Sequence, residues 1–529
     1  MAAGPSEKAT RYDRQLRLWG DHGQSTLERA HVCLVNASAT GSEILKNIVL
    51  PGIKAFTIVD PKTVVEEDLG ANFFLDVDSV GKGRASCAVD LLVEQNNDVK
   101  GFAIKENVGA ILKRNACFFS QFSVVIATQM HGPALLELAD TLWKQSVPLL
   151  IARSHGMLGY VRLVTQEHVI IESHPDNPLE DLRMDRPFPE LIRFTECIEL
   201  EKLSDADHRQ VPYPVILLHM LKRWKEDHDG QFPKNYKEKK EFKLLVDAAR
   251  RSVEEENFDE AVKAVNTAIS VSSVPSNVWE VLEDSLCIKV SEESTNFWIL
   301  ASALREFVNS EGGGLLPLRG SIPDMFSSSD KYIGLQRLYQ ARASADAEVV
   351  LRHAQVLLDK LGRPRDSISE QEVVTYCRHS AFLKVVRTHS LHQEHDPQTI
   401  NTSALDAYLD DSSSIMAYYV LFRAADKFFL IHNRFPGDSE DQFESDVTEM
   451  SKFTVDTLSE DLCLPSKNIK RDFIVEFCRS GGAELHSVAA FVGGVVGQEV
   501  IKLITRQYVP INNTLLYDAI TSSSVTLEL

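Results

Sequence analysis

The sequence predicts an α/β protein: a parallel sheet covered by helices on both faces, interrupted by a large and mainly helical insertion. Three observations carry that prediction. The N-terminal third alternates short β-prone runs with helical stretches, residues 215–477 are dominated by helical periodicity, and the chain end returns to a helix followed by a strand. Parallel neighbours need crossover connections, and right-handed crossovers place helices on both faces of the sheet.

In order, residues 10–24 (TRYDRQLRLWGDHGQ) interleave Arg11, Arg14 and Arg17 with Tyr12, Leu16, Leu18 and Trp19, the pattern of a short amphipathic helix or arm. His31–Val35 is an apolar strand, Gly41 stands at the following turn, and 42–50 continues with helical spacing. This is the opening of a nucleotide-binding α/β domain. Its fingerprint would place glycines at Asn36, Ser38 and Gly41, where backbone N–H groups close on phosphate, but only Gly41 is glycine. Pro51 and Gly52 punctuate the way to strand Ala55–Val59, which ends at Asp60. Next come a helix at 82–94, strands at 102–106 and 124–127, a helix at 133–145 and a buried-type strand at 147–152. Residues 172–189, rich in Pro and Asp, read as a connector.

Helices are then predicted at 215–227, 241–255, 258–268, Asn296–Asn309, 344–361, 370–386 and 414–432, with loops at 312–330 and 389–402. No fixed repeat period is present, which disfavours a solenoid. His486–Thr505 is a small-residue helix whose Gly493, Gly494 and Gly497 allow close packing on a sheet, and NTLLYDAI supplies a closing strand. The predicted organisation is 1–170 and 481–529 as two parts of one α/β domain, with 171–480 inserted between them.

Composition narrows the function. A formal charge of −20 disfavours a nucleic-acid binder and suits a solvated acidic surface or basic protein partners. No membrane span is expected: there is no run of about 18 apolar residues, and Glu484, His486, Gln498, Glu499 and Lys502 bracket the most apolar helix. The N-terminus lacks the apolar region of a secretory leader. Eight scattered cysteines without a C-x-x-C pair predict reduced, mostly buried thiols in the cytosol or nucleus, and no zinc ribbon.

The segments RYDRQLRLWG, VCLVNASATGSEILKNIVLPGI, FTIVDPKTVVEEDLGANFFLDVDSVGKGRA and VAAFVGGVVGQEVIKLIT resemble the adenylation domains of ubiquitin-like-protein activating enzymes, in the superfamily that includes bacterial sulfur-carrier adenylyltransferases. The resemblance implies a Rossmann-like, ThiF-type adenylation fold. In active members a Gly-rich turn, an acidic residue, an arginine, a lysine and a later aspartate bind ATP and Mg²⁺ while a C-terminal carboxylate attacks the α-phosphate. Here Asp60 remains at its strand end, but the arginine position is Ala71, the lysine position is Arg84, and the metal aspartate falls on Gln129 or Met130. With Asn36 and Ser38 in the turn, the resemblance implies an inactive domain that binds no cofactor or metal of its own. Arg14, in an intact Tyr12-Asp13-Arg14-Gln15 motif, is by the same resemblance donated across a dimer interface to ATP held by the other subunit.

Thioester-forming relatives carry a Cys-Thr pair, and none of the cysteines here precedes threonine. Cys197 and Cys377 read as half-buried structural residues, and His155 as a structural turn residue. The insertion is then the counterpart of the catalytic-cysteine domain without its nucleophile. Its size, with DLRMDRPFPEL (181–191), HRQVPYPVILLHMLKRW (208–224) and LPLRGSIPDMFSSSDKYIGLQRLYQ (316–340), is similar to regulatory subunits of heterodimeric activating enzymes, in the branch serving the ubiquitin-like modifier Nedd-eight. That implies a catalytic subunit as obligate partner, holding ATP and Mg²⁺, and the modifier as a second partner. Interface candidates are Arg11, Tyr12, Arg14, Gln15 and Leu18 on the arm, and Val488, Gly493, Gly494 and Gly497 on the small-residue helix. Tyr332, Leu335 and Tyr339 form a secondary stripe of a kind more often internal. A homodimeric adenylyltransferase and a non-catalytic scaffold remain as alternatives. Asn36 and Ser38 count against an oxidoreductase.

Overall fold

A computed structural model describes residues 10–176, 178 and 180–529. The expectation of no secretory leader falls in part on the first nine residues, which lie outside the described residues, as do Asn177 and Leu179 of the predicted connector. The chain divides into two compact units, one made of the residues up to Ile170 with Val385–Leu529, the other Ile171–Lys384.

The first unit holds an eight-stranded sheet among its described residues. Its strands are β1 (His31–Val35), β2 (Ala55–Val59), β3 (Lys100–Ile104), β4 (Val124–Thr128), β5 (Leu149–His155), β6 (Leu158–Val164), β9 (Thr514–Asp518) and β10 (Ser523–Leu527), while β7 (His168–Ile170) and β8 (Lys384–Val386) form a separate pair. The order is β10-β9-β6-β5-β4-β1-β2-β3. β3, β2, β1, β4 and β5 run parallel, and β6, β9 and β10 are joined antiparallel. β1 shows why two covered faces are needed: Val32 and Leu34 enter one core while Cys33 and Val35 enter the other.

The predicted bounds hold where apolar pattern sets them, at β1 and β2. β3 lies two residues earlier than predicted because it is an edge strand with exposed positions, so register comes from pairing of Ala55 with Lys100 and Val59 with Ile104. β5 runs on through Arg153, Ser154 and His155 into an antiparallel hairpin with β6. Those polar residues are buried, which no alternation pattern announces.

One core is closed by helices Ala39–Val49, Arg84–Val93 and His486–Thr505. The last is long and apolar enough to cross a membrane, yet 67% of its apolar window is buried within the protein. A Cβ on Gly493 would lie 2.7 Å from Glu43 Cβ, and one on Gly497 2.7 Å from Asn47 Cβ. These two glycines therefore set the approach of helix to helix, while Val492 meets the sheet at Gly159. The other core joins Val125, Ala127 and Ile151 of the sheet to helices Gly132–Lys144, Ala417–His432, Phe443–Asp456 and Arg471–Cys478. Residues 385–480, grouped by the sequence with the insertion, thus pack with the sheet. Ala417–His432 is apolar almost all round and needs cover on several sides, a property that periodicity does not assign to one core or another.

The second unit is helical. Its core gathers Leu182, Val215, Leu221, Trp224, Phe242 and Phe258 with Leu335 and Tyr339. Asn296–Asn309 forms as predicted, whereas the helix expected from 344 starts at Ser329 and runs 32 residues to Lys360. Leu335 and Tyr339 are fully buried, and the Tyr339 hydroxyl donates to Leu182 O at 2.7 Å. Both are core residues rather than a docking stripe. Tyr332 is half-buried, with its hydroxyl 3.4 Å from Asp324.

Candidate functional site

The turn after β1 enters through Asn36, whose φ of +67° is left-handed, and its Nδ2 donates to Thr128 O at 2.8 Å. Ser38 caps helix Ala39–Val49, its Oγ accepting from Gly41 N at 3.2 Å. Gly41 is required by close approach, since a Cβ there would meet Asn36 O at 2.7 Å and Thr128 Oγ1 at 2.9 Å.

The free N–H groups of that helix end are turned on a carboxylate of the same chain. Ala39 N and Thr40 N each donate to Glu484 at 3.1 Å, and Thr40 Oγ1 donates to Glu484 Oε1 at 2.6 Å. The β5–β6 turn fixes the carboxylate there, because Gly156 bridges to Glu484 and its N–H donates to Ala483 O at 2.7 Å. A helix N-terminus favours an anion through its unpaired N–H groups and dipole. Glu484 fills that role in this chain. The sequence marks Glu484 only as a charge flanking the apolar helix and gives it no site role, since it carries no motif and lies 444 residues from Thr40.

Asp60 is fully buried and used within the protein. It accepts from Ala37 N at 2.8 Å, from Lys62 N at 2.9 Å and from Arg84 Nε at 2.7 Å. Arg84 also reaches Asp68 Oδ1 at 3.0 Å. Burial alone would lower the Arg84 guanidinium, but Asp60 and Asp68 beside it hold its pKa above the ordinary value. Ala71 follows the short turn Glu66–Gly70, and its neighbour Asn72 is buried, donating to Ala37 O at 3.3 Å and Ser42 Oγ at 3.1 Å. Gln129 exchanges hydrogen bonds with the Ser154 backbone, 2.6 Å to its O and 3.2 Å from its N. Met130 is buried in the core. Among the described residues no group of three His, Cys, Asp or Glu is placed to hold a metal ion.

The arm is helix Asp13–Leu27, kinked at Gly20, where φ is +67°. Tyr12 is buried, its hydroxyl accepting from Asn96 Nδ2 at 3.0 Å, and its ring packs over Gly52. Trp19 is buried too, and Gln507 donates to its carbonyl at 3.0 Å. Tyr12 is thus an anchor rather than an interface residue. Arg11 pairs with Asp98 at 3.3 Å, Arg17 with Asp13 at 3.0 Å, and Gln15 is half-buried. Arg14 is exposed and has no hydrogen bond or ion pair among the described residues, and Leu18 beside it is 52% exposed. On the small-residue helix Val488, Gly493 and Gly497 are buried within the unit, which removes them from the interface candidates. Gly494 faces open space near the half-exposed Phe491.

The cysteines divide by environment. Cys33, Cys287, Cys377 and Cys478 are buried, and burial pushes the last three thiols up to about 12, which disfavours a nucleophilic thiolate. Cys197, expected half-buried, is exposed beyond the end of helix Pro189–Glu196. His155 is a structural residue: its Nε2 is 2.8 Å from Phe477 O, its ring stacks on Phe477, and burial lowers its pKa to about 4.

Comparison with known proteins agrees with this architecture. The chain matches the ThiF family over residues 12–529. It is 46% identical over 535 residues to the NEDD8-activating enzyme E1 regulatory subunit of Danio rerio, covering 100% of both chains. It is 41% identical to the NEDD8-activating enzyme E1 regulatory subunit AXR1 of Arabidopsis thaliana, covering 99% of this chain and 97% of that one. With the corresponding subunit of Saccharomyces cerevisiae the identity is 27%, over 98% of this chain and 100% of that one. On the full-length match, the chain belongs to the ThiF family.

Proposed function

We propose that this chain is the non-catalytic regulatory subunit of a heterodimeric NEDD8-activating enzyme. Adenylation of the modifier's C-terminus and thioester formation then belong to a catalytic partner that holds ATP and Mg²⁺. The names of the full-length relatives support the regulatory assignment. The observation that carries the non-catalytic reading is the Glu484 carboxylate on the Ala39 and Thr40 N–H groups. A phosphate competing for those donors would meet a like charge at roughly 4 Å, a repulsion of about 4 kcal/mol at an effective dielectric of ~20. Asp60 is committed to Arg84, and neither Gln129 nor Met130 offers a metal a carboxylate. These residues do not fit a nucleotide phosphate or its metal ion.

Arg14 contributes in the opposite direction. It sits on an arm anchored at Tyr12 and Trp19, and its exposed guanidinium is unpaired among the described residues. A planar fork of N–H donors matches phosphate oxygens, so it serves the partner's ATP in trans. The cysteine pattern supports a cytosolic or nuclear location.

The test is ATP–pyrophosphate exchange by the chain alone, by the reconstituted pair, and by the pair carrying Arg14→Ala. The expected pattern is no exchange alone, exchange by the pair, and a loss of about a hundredfold or more with Arg14→Ala. Exchange by the single chain at the rate of the pair would favour a homodimeric adenylyltransferase. An unchanged rate with Arg14→Ala would leave a pure scaffold.

A further inference from the structure

A cavity of about 200 Å³ lies wholly within the sheet-containing unit, between β5, β6 and the start of helix Gly132–Lys144 on one side and helices Leu391–His395 and Ala417–His432 on the other. Its walls are largely apolar, with Leu136, Ile151, Phe422 and Leu430 among them, and Leu430 is 58% exposed at its rim. Its polar lining is ionic. Arg153 faces Asp426, with Nη1 3.1 Å from Oδ2 in a hydrogen bond and Nη2 2.8 Å from Oδ1 as an ion-pair contact outside hydrogen-bond alignment. Lys427 Nζ pairs with Asp461 Oδ1 at 3.0 Å. Glu394 accepts from Arg162 Nε at 2.6 Å and from the Tyr419 hydroxyl at 2.9 Å.

That assignment uses each carboxylate once and leaves a cation over. Arg423 is buried on the cavity wall. Its Nη1 donates to Glu394 O at 3.2 Å and to the Tyr419 hydroxyl at 3.4 Å, whereas its nearest carboxylate oxygen, Asp461 Oδ2, is 3.7 Å from Nη2 and belongs to the carboxylate already paired with Lys427. Behind Glu394, Arg162 Nη2 is buried with no hydrogen-bond partner among the described residues. His395 adds no positive charge, because burial and the neighbouring Arg423 push its pKa down. Arg153, Arg423 and Lys427 line the cavity against Glu394, Asp426 and Asp461, three cations to three carboxylates. Arg162 behind Glu394 adds a fourth cation, so the cluster as a whole carries one positive charge in excess inside a protein of formal charge −20. A buried charge without its own counter-ion is costly, and a ligand anion would relieve that cost.

We propose that this cavity binds a small organic acid, its carboxylate on the Arg423 guanidinium and its ring or short apolar body against Leu136, Phe422 and Leu430. The size is adequate, since an apolar protein cavity of about 150 Å³ takes up benzene. The site is separate from the turn at Glu484 and does not depend on the regulatory reading.

The test uses the full chain and two probes of similar shape and opposite charge, benzoate and benzylamine, followed by ligand-observed NMR and thermal melting. Benzoate binds in the millimolar range and raises the melting temperature, and benzylamine does neither. Leu430→Glu puts a carboxylate at the exposed rim, where it competes with the ligand for the Arg423 guanidinium and weakens benzoate at least tenfold. Arg423→Gln abolishes benzoate binding; if that variant does not fold, Leu430→Glu alone decides. No benzoate binding at about 10 mM, equal binding of both probes, or unchanged benzoate affinity in Leu430→Glu or in folded Arg423→Gln would overturn the proposal.

Discussion

Replacing Glu484 with alanine tests whether the turn after β1 is held by a carboxylate standing where a phosphate would. The substitution removes three hydrogen bonds, two from the Ala39 and Thr40 N–H groups at 3.1 Å and one from the Thr40 hydroxyl at 2.6 Å. The first two are longer than the 2.7–2.9 Å of strong charge-assisted bonds and count for about 1 kcal/mol each. The short hydroxyl bond adds about 1.5 kcal/mol, and the loss of an anion at a helix N-terminus about 0.5 kcal/mol. Glu484 is half-buried, so water replaces part of this, and the expected cost is about 3 kcal/mol by urea unfolding. The variant should also acquire an anion dependence that the native chain lacks. Inorganic phosphate entering the vacated site at ten times its dissociation constant would restore about 1.4 kcal/mol. A cost below about 1 kcal/mol, or equal stabilisation of native chain and variant by phosphate, would refute the reasoning.

Other substitutions separate the remaining contacts. Arg84→Ala strands the fully buried Asp60 carboxylate and should cost about 3–5 kcal/mol in the same assay; a cost near that of an exposed ion pair would mean water compensates Asp60. Gly497→Ala forces a Cβ to 2.7 Å from Asn47 Cβ and should destabilise by about 1–3 kcal/mol, whereas Gly494→Ala, with nothing within 4 Å, should stabilise the free chain by about 0.5–1 kcal/mol. Equal effects at the two positions would contradict the helix packing. His155 is held neutral, its pKa lowered to about 4 against the ordinary 6.5. Between those values the unfolded chain takes up a proton that the folded chain refuses, so this stability is full above pH 6.5 and is lost as pH falls towards 4. The amount is about 3 kcal/mol, and His155→Phe should flatten that part of the urea-midpoint profile against pH.

Chain-local features were decided by the sequence alone. The Val- and Ile-rich runs at β1, β2 and β4 are legible because strands buried on both faces must be apolar throughout. The loss of glycine at Asn36 and Ser38, and the absence of a Cys-Thr pair, are facts of composition at a position. The arm was also legible as amphipathic, although which of its residues anchor and which stay free was not: Tyr12 turns inward on Asn96, and Arg14 outward.

Only the tertiary structure decided what fills the phosphate turn and which core each helix joins. Glu484 reads as an ordinary acidic residue until the Gly156 bridge brings it to Thr40, and Arg84 reads as a displaced site lysine until it closes on Asp60. Leu335 and Tyr339 have the spacing of a docking stripe and are core; Ala417–His432 has the spacing of an insertion helix and packs with the sheet. The reason is physical. Periodicity records how a segment meets its own neighbours along the chain, whereas a partner hundreds of residues away is chosen by burial and charge compensation, which exist only once the chain has folded.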